Sequence, residues 1–179
     1  MESSLSRGRA LAQTLGFTII ELVAAASVVL ILAALIIPNY QNIINGAQQA
    51  VCASNMRSIR TGMDGYLQDH SLIWPQGPRP QDPGWADFWL QTLSPYGIKQ
   101  RTWHCPTIKA NLRGSEAPET LTLHYVPTMF DATKNIAYRW ATQPWLIEAA
   151  NAHGNGALIC FPDGSVKPVN KVLAEQGLR

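Results

Sequence analysis

The feature that most constrains this chain is an apolar run near its N-terminus. Residues Phe17–Ile37 read FTIIELVAAASVVLILAALII, in which Glu21 is the single charged residue and Thr18 and Ser27 are the other polar ones. As a helix with a rise of ~1.5 Å per residue, the run would be roughly 32 Å long, close to the ~30 Å hydrocarbon core of a bilayer. It therefore predicts a single membrane-spanning helix.

Basic residues on either side of the run predict its orientation. Arg7 and Arg9 lie before it, whereas the first basic residue after it is Arg57. Because positively charged residues near a span stay on the cytoplasmic side, we expect the N-terminus in the cytoplasm and the C-terminal part across the membrane.

Two ordinary explanations of the run leave something unaccounted for. A cleavable secretory signal would have a shorter apolar stretch followed by a small-residue cleavage site, but here the sequence continues through Pro38-Asn39-Tyr40. A plain signal anchor fits the length and the orientation, but Glu21 would then cost about 2.5–3.5 kcal/mol inside a bilayer. An acid at this position therefore needs a partner.

The residues around Glu21 resemble a known processing site. Gly16–Leu22, GFTIIEL, is similar to the cleavage site of type IV prepilins and of the pseudopilins of type II secretion systems. The resemblance implies that a prepilin peptidase cuts between Gly16 and Phe17 and methylates the new terminal amine. It also implies that Glu21 neutralises the amine of a neighbouring subunit, and that Pro38 bends the helix near the end of its apolar part.

The same resemblance carries expectations about function and location. The expected function is that of a pilin-like structural subunit, assembled into a type II secretion pseudopilus or a type IV pilus-like filament. The expected partners are the prepilin peptidase, other pilin or pseudopilin subunits and the inner membrane. We expect a single-pass protein of the inner (cytoplasmic) membrane with its head outside the cytoplasm, and a filament after assembly.

Landmarks further along the chain resemble a subgroup of pilin-like proteins found in planctomycetes, verrucomicrobia and their relatives. They are the segments Cys52–Pro75, Leu93–Tyr96 (LSPY) and Trp103–Pro106 (WHCP). The closing landmark begins at His153, which nine residues separate from Asp163-Gly164. This spacing is similar to the H-x9-DG element of that subgroup, so the resemblance covers nearly the whole chain.

The predicted fold is α+β and pilin-like, with a long N-terminal helix packed on a small antiparallel sheet. Beyond Pro38, apolar residues recur at steps of three and four, which predicts that the helix continues to about Gln68. The recurring residues are Ile44, Ala47, Val51, Ile59, Met63 and Tyr66 or Leu67. The predicted segments are a cytoplasmic leader (1–16), the transmembrane and assembly helix (17–38), its amphipathic continuation (39–70) and an α+β globular head (71–179).

Patterns in the head predict its shorter elements. Alternating or apolar runs predict strands, Pro and Gly predict a loop, and aromatic anchors favour a short helix. The predicted strands are Leu121–Val126, Ile136–Ala141, Trp145–Glu148, Ala157–Phe161 and Ser165–Val169; the loop is Ser71–Gly84; the helices are Asp87–Leu93 and Lys171–Gln176. Asp163 and Gly164 are predicted to form a hairpin turn, and His153 to cap or hydrogen-bond a loop at the mouth of that hairpin.

Three cysteines lack the C-x-x-C spacing of zinc ribbons and thioredoxin-like proteins. For an exported head, Cys52, Cys105 and Cys160 predict one disulfide and one remaining thiol, with the pairing open. A metal site drawn from His104, Cys105, His153, Cys160 or Asp163 has competent ligand types, but their spacing predicts none. The C-terminal loops also contain too few acids for calcium, so no metal or cofactor is expected.

Composition and motifs argue against two other classes of function. The chain has 14 Lys and Arg against 12 Asp and Glu, a net charge of +2, so it lacks the basic character of a nucleic-acid-binding protein. It contains no G-x-S-x-G, H-E-x-x-H, Walker A or G-x-G-x-x-G motif. We therefore expect neither a nucleic-acid partner nor catalysis.

An alternative function follows from the tryptophan content. Six tryptophans occur in the chain, and an aromatic surface around Trp74, Trp85 and Trp89 would suit a membrane-tethered module that binds a glycan or another surface ligand. Exposure of these side chains would favour binding, whereas burial would favour a structural role.

Overall fold

The computed structural model describes residues 18–36, 40–80, 82–108, 123–154 and 156–177. The chain divides after Gln41 into two compact units.

The first unit contains helix α1, Ile19–Ile36. Thr18 and Glu21 cap its first turn reciprocally: the Thr18 N–H and hydroxyl donate to Glu21 Oε2 at 2.9 and 3.0 Å, and the Glu21 N–H donates to Thr18 Oγ1 at 3.3 Å. This Thr-x-x-Glu arrangement is a capping box, which satisfies donors that a helix start leaves open. Within the described residues, no helix reaches the length and hydropathy required of a membrane span.

Helix α2, Tyr40–Asp69, supplies one side of the core of the second unit. Its fully buried side chains follow one another at steps of three and four, so they lie on one face; they are Cys52, Met56, Ile59, Met63 and Leu67. Of the apolar residues that recur at steps of three and four in the sequence, Ala47 and Val51 do not face the core, since both side chains are exposed, Val51 to 49%. The stripe that faces the core passes through the neighbouring Cys52 instead.

Four described strands of three residues each form one antiparallel sheet in the order β1-β2-β3-β4. Their bounds are Tyr125–Pro127 (β1), Leu146–Glu148 (β2), Leu158–Cys160 (β3) and Val166–Pro168 (β4). Leu146 is opposite Pro127 in β1 and Cys160 in β3, and Cys160 is opposite Val166. The α+β class and the small antiparallel sheet are therefore confirmed, as are the strands predicted near β2, β3 and β4.

Aromatic side chains fill the space between α2 and the sheet. Trp74 makes edge-to-face contacts with Phe130 and Trp145, with ring centroids 4.7 and 5.3 Å apart. Trp145 is completely buried, and its indole N–H donates to the Ala137 carbonyl at 2.8 Å. These rings belong to the same hydrophobic cluster as the buried face of α2.

The predicted strand Ile136–Ala141 is wrong. Residues Ile136–Tyr138 form a 3₁₀ turn, preceded by Asn135 in the left-handed conformation with φ 65°. The Arg139 N–H closes the turn on the Ile136 carbonyl at 3.1 Å. The alternation of Ile136, Tyr138 and Trp140 imitates a strand, but the local turn hydrogen bonds take the backbone groups that a ladder would need.

The remaining elements follow the sequence closely. Helix α3 is Trp85–Leu93 and helix α4 is Val169–Glu175, each close to a predicted helix. The described part of Ser71–Gly84 contains neither helix nor strand, as predicted. Further 3₁₀ turns are Ser94–Tyr96 and Gln100–Trp103.

Two glycines of α2 provide a matched test of its packing. A Cβ at Gly62 would lie 2.5 Å from Ile98 Cγ1, whereas a Cβ at Gly46 meets nothing within 4 Å. We expect Gly62→Ala to lower the free energy of unfolding by about 1–3 kcal/mol through overpacking, and Gly46→Ala to raise it by up to about 1 kcal/mol through helix propensity. Urea unfolding of the detergent-solubilised chain, followed by near-UV circular dichroism, measures the free energy of unfolding of both variants. Equal changes in the two variants would contradict the close contact between Gly62 and Ile98.

Candidate functional site

The predicted processing residues lie mostly outside the described part of the chain. Gly16, Phe17 and Pro38 are among the residues without description, whereas Glu21 lies in the first turn of α1. The Glu21 carboxylate is already engaged by the N–H and hydroxyl of Thr18. A second group that binds Glu21 therefore meets a carboxylate that already accepts hydrogen bonds from Thr18.

A disulfide joins Cys52 of α2 to Cys105, with their Cα atoms 5.3 Å apart. Cys105 follows the 3₁₀ turn Gln100–Trp103, and its N–H donates to His124 Nδ1 at 2.9 Å. The bond closes a sequence separation of 53 residues, which would contribute about 4 kcal/mol to stability in the chain-entropy model. Cys160 is the free thiol among the described cysteines, and it is buried.

His153 and Glu148 lie beside this disulfide. His153 Nε2 is 3.6 Å from Cys105 Sγ and 3.3 Å from Glu148 Oε1. The side chains of His153 and Glu148 are 1% and 0% exposed. One potential ligand atom from each of Cys52, Cys105, Glu148 and His153 lies within 4.8 Å of the other three; we call these four residues the buried cluster.

The polar atoms of the buried cluster are incompletely satisfied by the described residues. Glu148 Oε2 accepts a hydrogen bond from the Leu158 N–H at 3.1 Å. Glu148 Oε1 has the 3.3 Å contact with His153 Nε2 without hydrogen-bond geometry, and His153 Nδ1 has no hydrogen-bond partner among the described residues. Burial raises the pKa of Glu148, while the Leu158 N–H and the neighbouring His153 oppose that rise. Unsatisfied buried polar atoms of this kind need an explanation, because each one loses its hydration on folding.

The predicted hairpin turn between β3 and β4 is confirmed, and His153 lies in the loop before β3, the first strand of that hairpin. Gly164 has φ 82°, a conformation that glycine adopts without strain. Asp163 Oδ1 accepts from the Ser165 N–H at 2.8 Å, and the Phe161 N–H donates to the Ser165 carbonyl at 3.0 Å. Asp163 and Gly164 thus act in turn formation, separately from the buried cluster.

Side chains of α2 hold this turn in place. Arg60 Nε donates to the Pro162 carbonyl at 2.8 Å, and Arg57 Nε donates to the Gly164 carbonyl at 3.3 Å. Two residues before Arg57 on α2, Asn55 Nδ2 donates to the His104 carbonyl at 3.2 Å. The sequence landmarks around Cys52, Cys105 and Asp163 therefore meet in space along a single stretch of α2.

Glu148 is the member of the cluster that sequence reasoning missed. It was included in a predicted strand but not in any predicted site. The alternation of residues in β2 could have indicated that Glu148 is buried. Leu146 and Glu148 share the buried face of the strand, and Ile147, which is 39% exposed, lies on the other face. Of the candidate ligands predicted from the sequence, Cys105 and His153 come together, whereas His104, Cys160 and Asp163 are not members of the buried cluster.

The tryptophans proposed for a ligand surface lie in the core. Trp74, Trp85 and Trp89 are 1%, 9% and 3% exposed. Comparison with known proteins adds no further assignment, since no family model, curated protein or solved structure matches the chain.

The thiols give a direct test of the cysteine arrangement. Because burial raises the pKa of Cys160 to about 11, we expect iodoacetamide to leave the native, unreduced protein unmodified at pH 7. After unfolding without reductant, one label should appear, and peptide mass spectrometry should place it on Cys160; reduction should raise the total to three. A label on Cys52 or Cys105 before reduction would contradict the pairing, and Cys160→Ser is the control.

The raised pKa of Cys160 also fixes the sign of its contribution to stability. The folded protein favours the neutral thiol. The contribution of Cys160 to the free energy of unfolding is therefore fully present below the ordinary pKa of 9.0, and it is lost as the pH rises towards the folded-state pKa of about 11.

Proposed function

We propose that this chain is a pilin-like structural subunit, matured by a prepilin peptidase and assembled into a type II secretion pseudopilus or a type IV pilus-like filament. In this proposal, the apolar segment Phe17–Ile37 holds the subunit in the inner membrane before assembly. It then becomes part of the filament core, while the head faces outward. The subunit has a structural role and no catalytic one.

The observation that carries the proposal is the position of Glu21. It is the single charge in an apolar run and follows Gly16-Phe17 by four residues, as in the prepilin sites that this segment resembles. Cleavage after Gly16 would create a terminal amine on Phe17. A carboxylate from one subunit and an amine from the next would offset each other's burial cost in a filament core.

The capping box of α1 refines this proposal. Thr18 directs both an N–H and a hydroxyl at one oxygen of Glu21, so the acid in a single chain already has hydrogen-bond donors that carry no charge. An incoming amine would add an opposite charge that Thr18 cannot supply. Glu21 would then stabilise the helix start in the subunit and select the neighbour in the filament.

The head is suited to a structural role. Two arginine contacts and an aromatic core connect α2 to the sheet and its turn, and the disulfide connects α2 to the segment of Cys105. Close packing between subunits would have to supply much of the selectivity, because moving an apolar helix from lipid to a protein core changes its hydrophobic energy little. Burial of Trp74, Trp85 and Trp89 argues against the alternative of an aromatic ligand surface.

Gly16→Ala tests maturation. Because glycine lets a protease approach the backbone closely, we expect the variant to stay unprocessed when it is co-expressed with a prepilin peptidase. Immunoblotting for the loss of the leader and mass spectrometry of the N-terminus provide the measurement. Gly8→Ala, in the same leader, is the matched control and should mature normally; normal processing of the Gly16 variant would refute the proposal.

Glu21→Ala and Glu21→Gln separate the two roles of the acid. Both variants should be cleaved but should be scarce in the sheared filament fraction, measured by immunoblot, because neither can neutralise an amine. Glutamine at this position retains the capping box and so controls for the helix start. Normal assembly of Glu21→Gln would show that capping alone suffices, and would exclude the charge pair.

A further inference from the structure

The buried cluster contains the ligand types of a zinc site. Two cysteine sulfurs, one imidazole nitrogen and one carboxylate oxygen come from α2, the segment after Gln100–Trp103, the loop after β2 and the end of β2 itself. Zinc in structural sites takes four such ligands in a tetrahedron, whereas calcium and magnesium take oxygen ligands. We propose that the chain, with the Cys52–Cys105 disulfide reduced, binds one zinc ion through Cys52, Cys105, Glu148 and His153.

The distances between the atoms fit this assignment. Metal–ligand bonds of about 2.0–2.3 Å place neighbouring ligand atoms of a tetrahedron about 3.3–3.8 Å apart. Glu148 Oε1 and His153 Nε2 are 3.3 Å apart, and His153 Nε2 and Cys105 Sγ are 3.6 Å apart. The two edges that meet at His153 Nε2 therefore already have tetrahedral spacing, and all four ligand atoms lie within 4.8 Å of one another. Breaking the S–S bond would let the two sulfurs move apart to the spacing that a metal requires.

Burial and orientation of Glu148 support the same site. Its Oε1 faces His153 Nε2 at 3.3 Å, but the two atoms do not have hydrogen-bond geometry, and a metal ion placed between them would bind both. Its Oε2 is held by the Leu158 N–H at 3.1 Å. A ligand whose second oxygen is fixed by a hydrogen bond is the arrangement that orients carboxylates at metal sites.

Zinc binding and the disulfide exclude each other. Cysteine binds zinc as a thiolate, and neither sulfur can be one while the S–S bond persists. A phosphine reductant and one water molecule convert the disulfide into two thiols and the phosphine into its oxide. Each thiol then releases one proton to solvent when it binds zinc. The oxidised chain uses the S–S bond to connect α2 to the region of Cys105, and the reduced chain uses the metal.

Cobalt and zinc titrations of the full-length, detergent-solubilised chain test this proposal. After anaerobic reduction with a phosphine, Co²⁺ should give thiolate charge-transfer absorption and the visible bands of a tetrahedral ion, saturating at one ion per chain. Zinc should displace the cobalt, and X-ray absorption of the zinc form should give two sulfur and two nitrogen or oxygen neighbours. The unreduced chain, which has the same sequence, should give none of these signals.

Variants assign the ligands. His153→Gln should weaken zinc binding by at least about 100-fold, since loss of a direct ligand exceeds the 10–100-fold effect of losing an outer contact. Glu148→Gln should also weaken it, while Cys160→Ser, which removes the cysteine outside the cluster, should bind as the parent does. Near-UV circular dichroism establishes that each variant is folded.

Three results would overturn the proposal. They are the absence of tetrahedral cobalt bands in the reduced parent chain, equal binding by the reduced and unreduced chains, and loss of the site in Cys160→Ser. The comparison of the reduced with the unreduced chain and the X-ray absorption measurement both use the parent sequence. They therefore decide whether the chain binds zinc even where a variant fails to fold.

Discussion

The burial of one face of α2 is the constraint on which the head depends. Each described strand of the sheet has three residues, and a sheet needs a hydrophobic face or packing against a helix to be stable in water. They persist because their inward side chains share a hydrophobic cluster with Met56, Ile59 and Met63 of α2. The Cys52–Cys105 disulfide and the hydrogen bond from Arg60 Nε to the Pro162 carbonyl then connect the same helix to two separate loops. The sheet order is thus maintained largely through the helix that it covers.

Two acids in apolar sequence are accommodated in different ways. Glu21 is exposed and finds its donors three residues away, in Thr18. Glu148 is buried, and its donor is the Leu158 N–H of the neighbouring strand. The first arrangement is local and can form as soon as the helix starts. The second requires the sheet, the Cys105 segment and the His153 loop to be in place together, so it reports on the folded head as a whole.

Much of the architecture could be predicted from the sequence. Short strand-like runs predicted β2 and β3, and Pro162-Asp163-Gly164 predicted the turn after β3, because strands and turns of this kind depend on neighbouring residues. The strand predicted at Ile136–Ala141 failed because backbone hydrogen bonds within a turn overrode the side-chain pattern. The buried cluster was beyond prediction for a different reason. Its members lie on four separate segments, and only the packed fold brings Glu148 and His153 to the cysteines.

The outer strands of the sheet limit how the head can meet other chains. Among the strands that the structure describes, ordered β1-β2-β3-β4, the two edges are β1 and β4, and each ends in a proline, Pro127 and Pro168. Proline has no N–H to offer to an approaching strand, and a three-residue edge presents few backbone groups. The sheet is therefore poorly suited to extension by a strand from a second molecule. Copies of this head, when crowded together, are protected from edge-to-edge aggregation and are left to associate through side-chain surfaces.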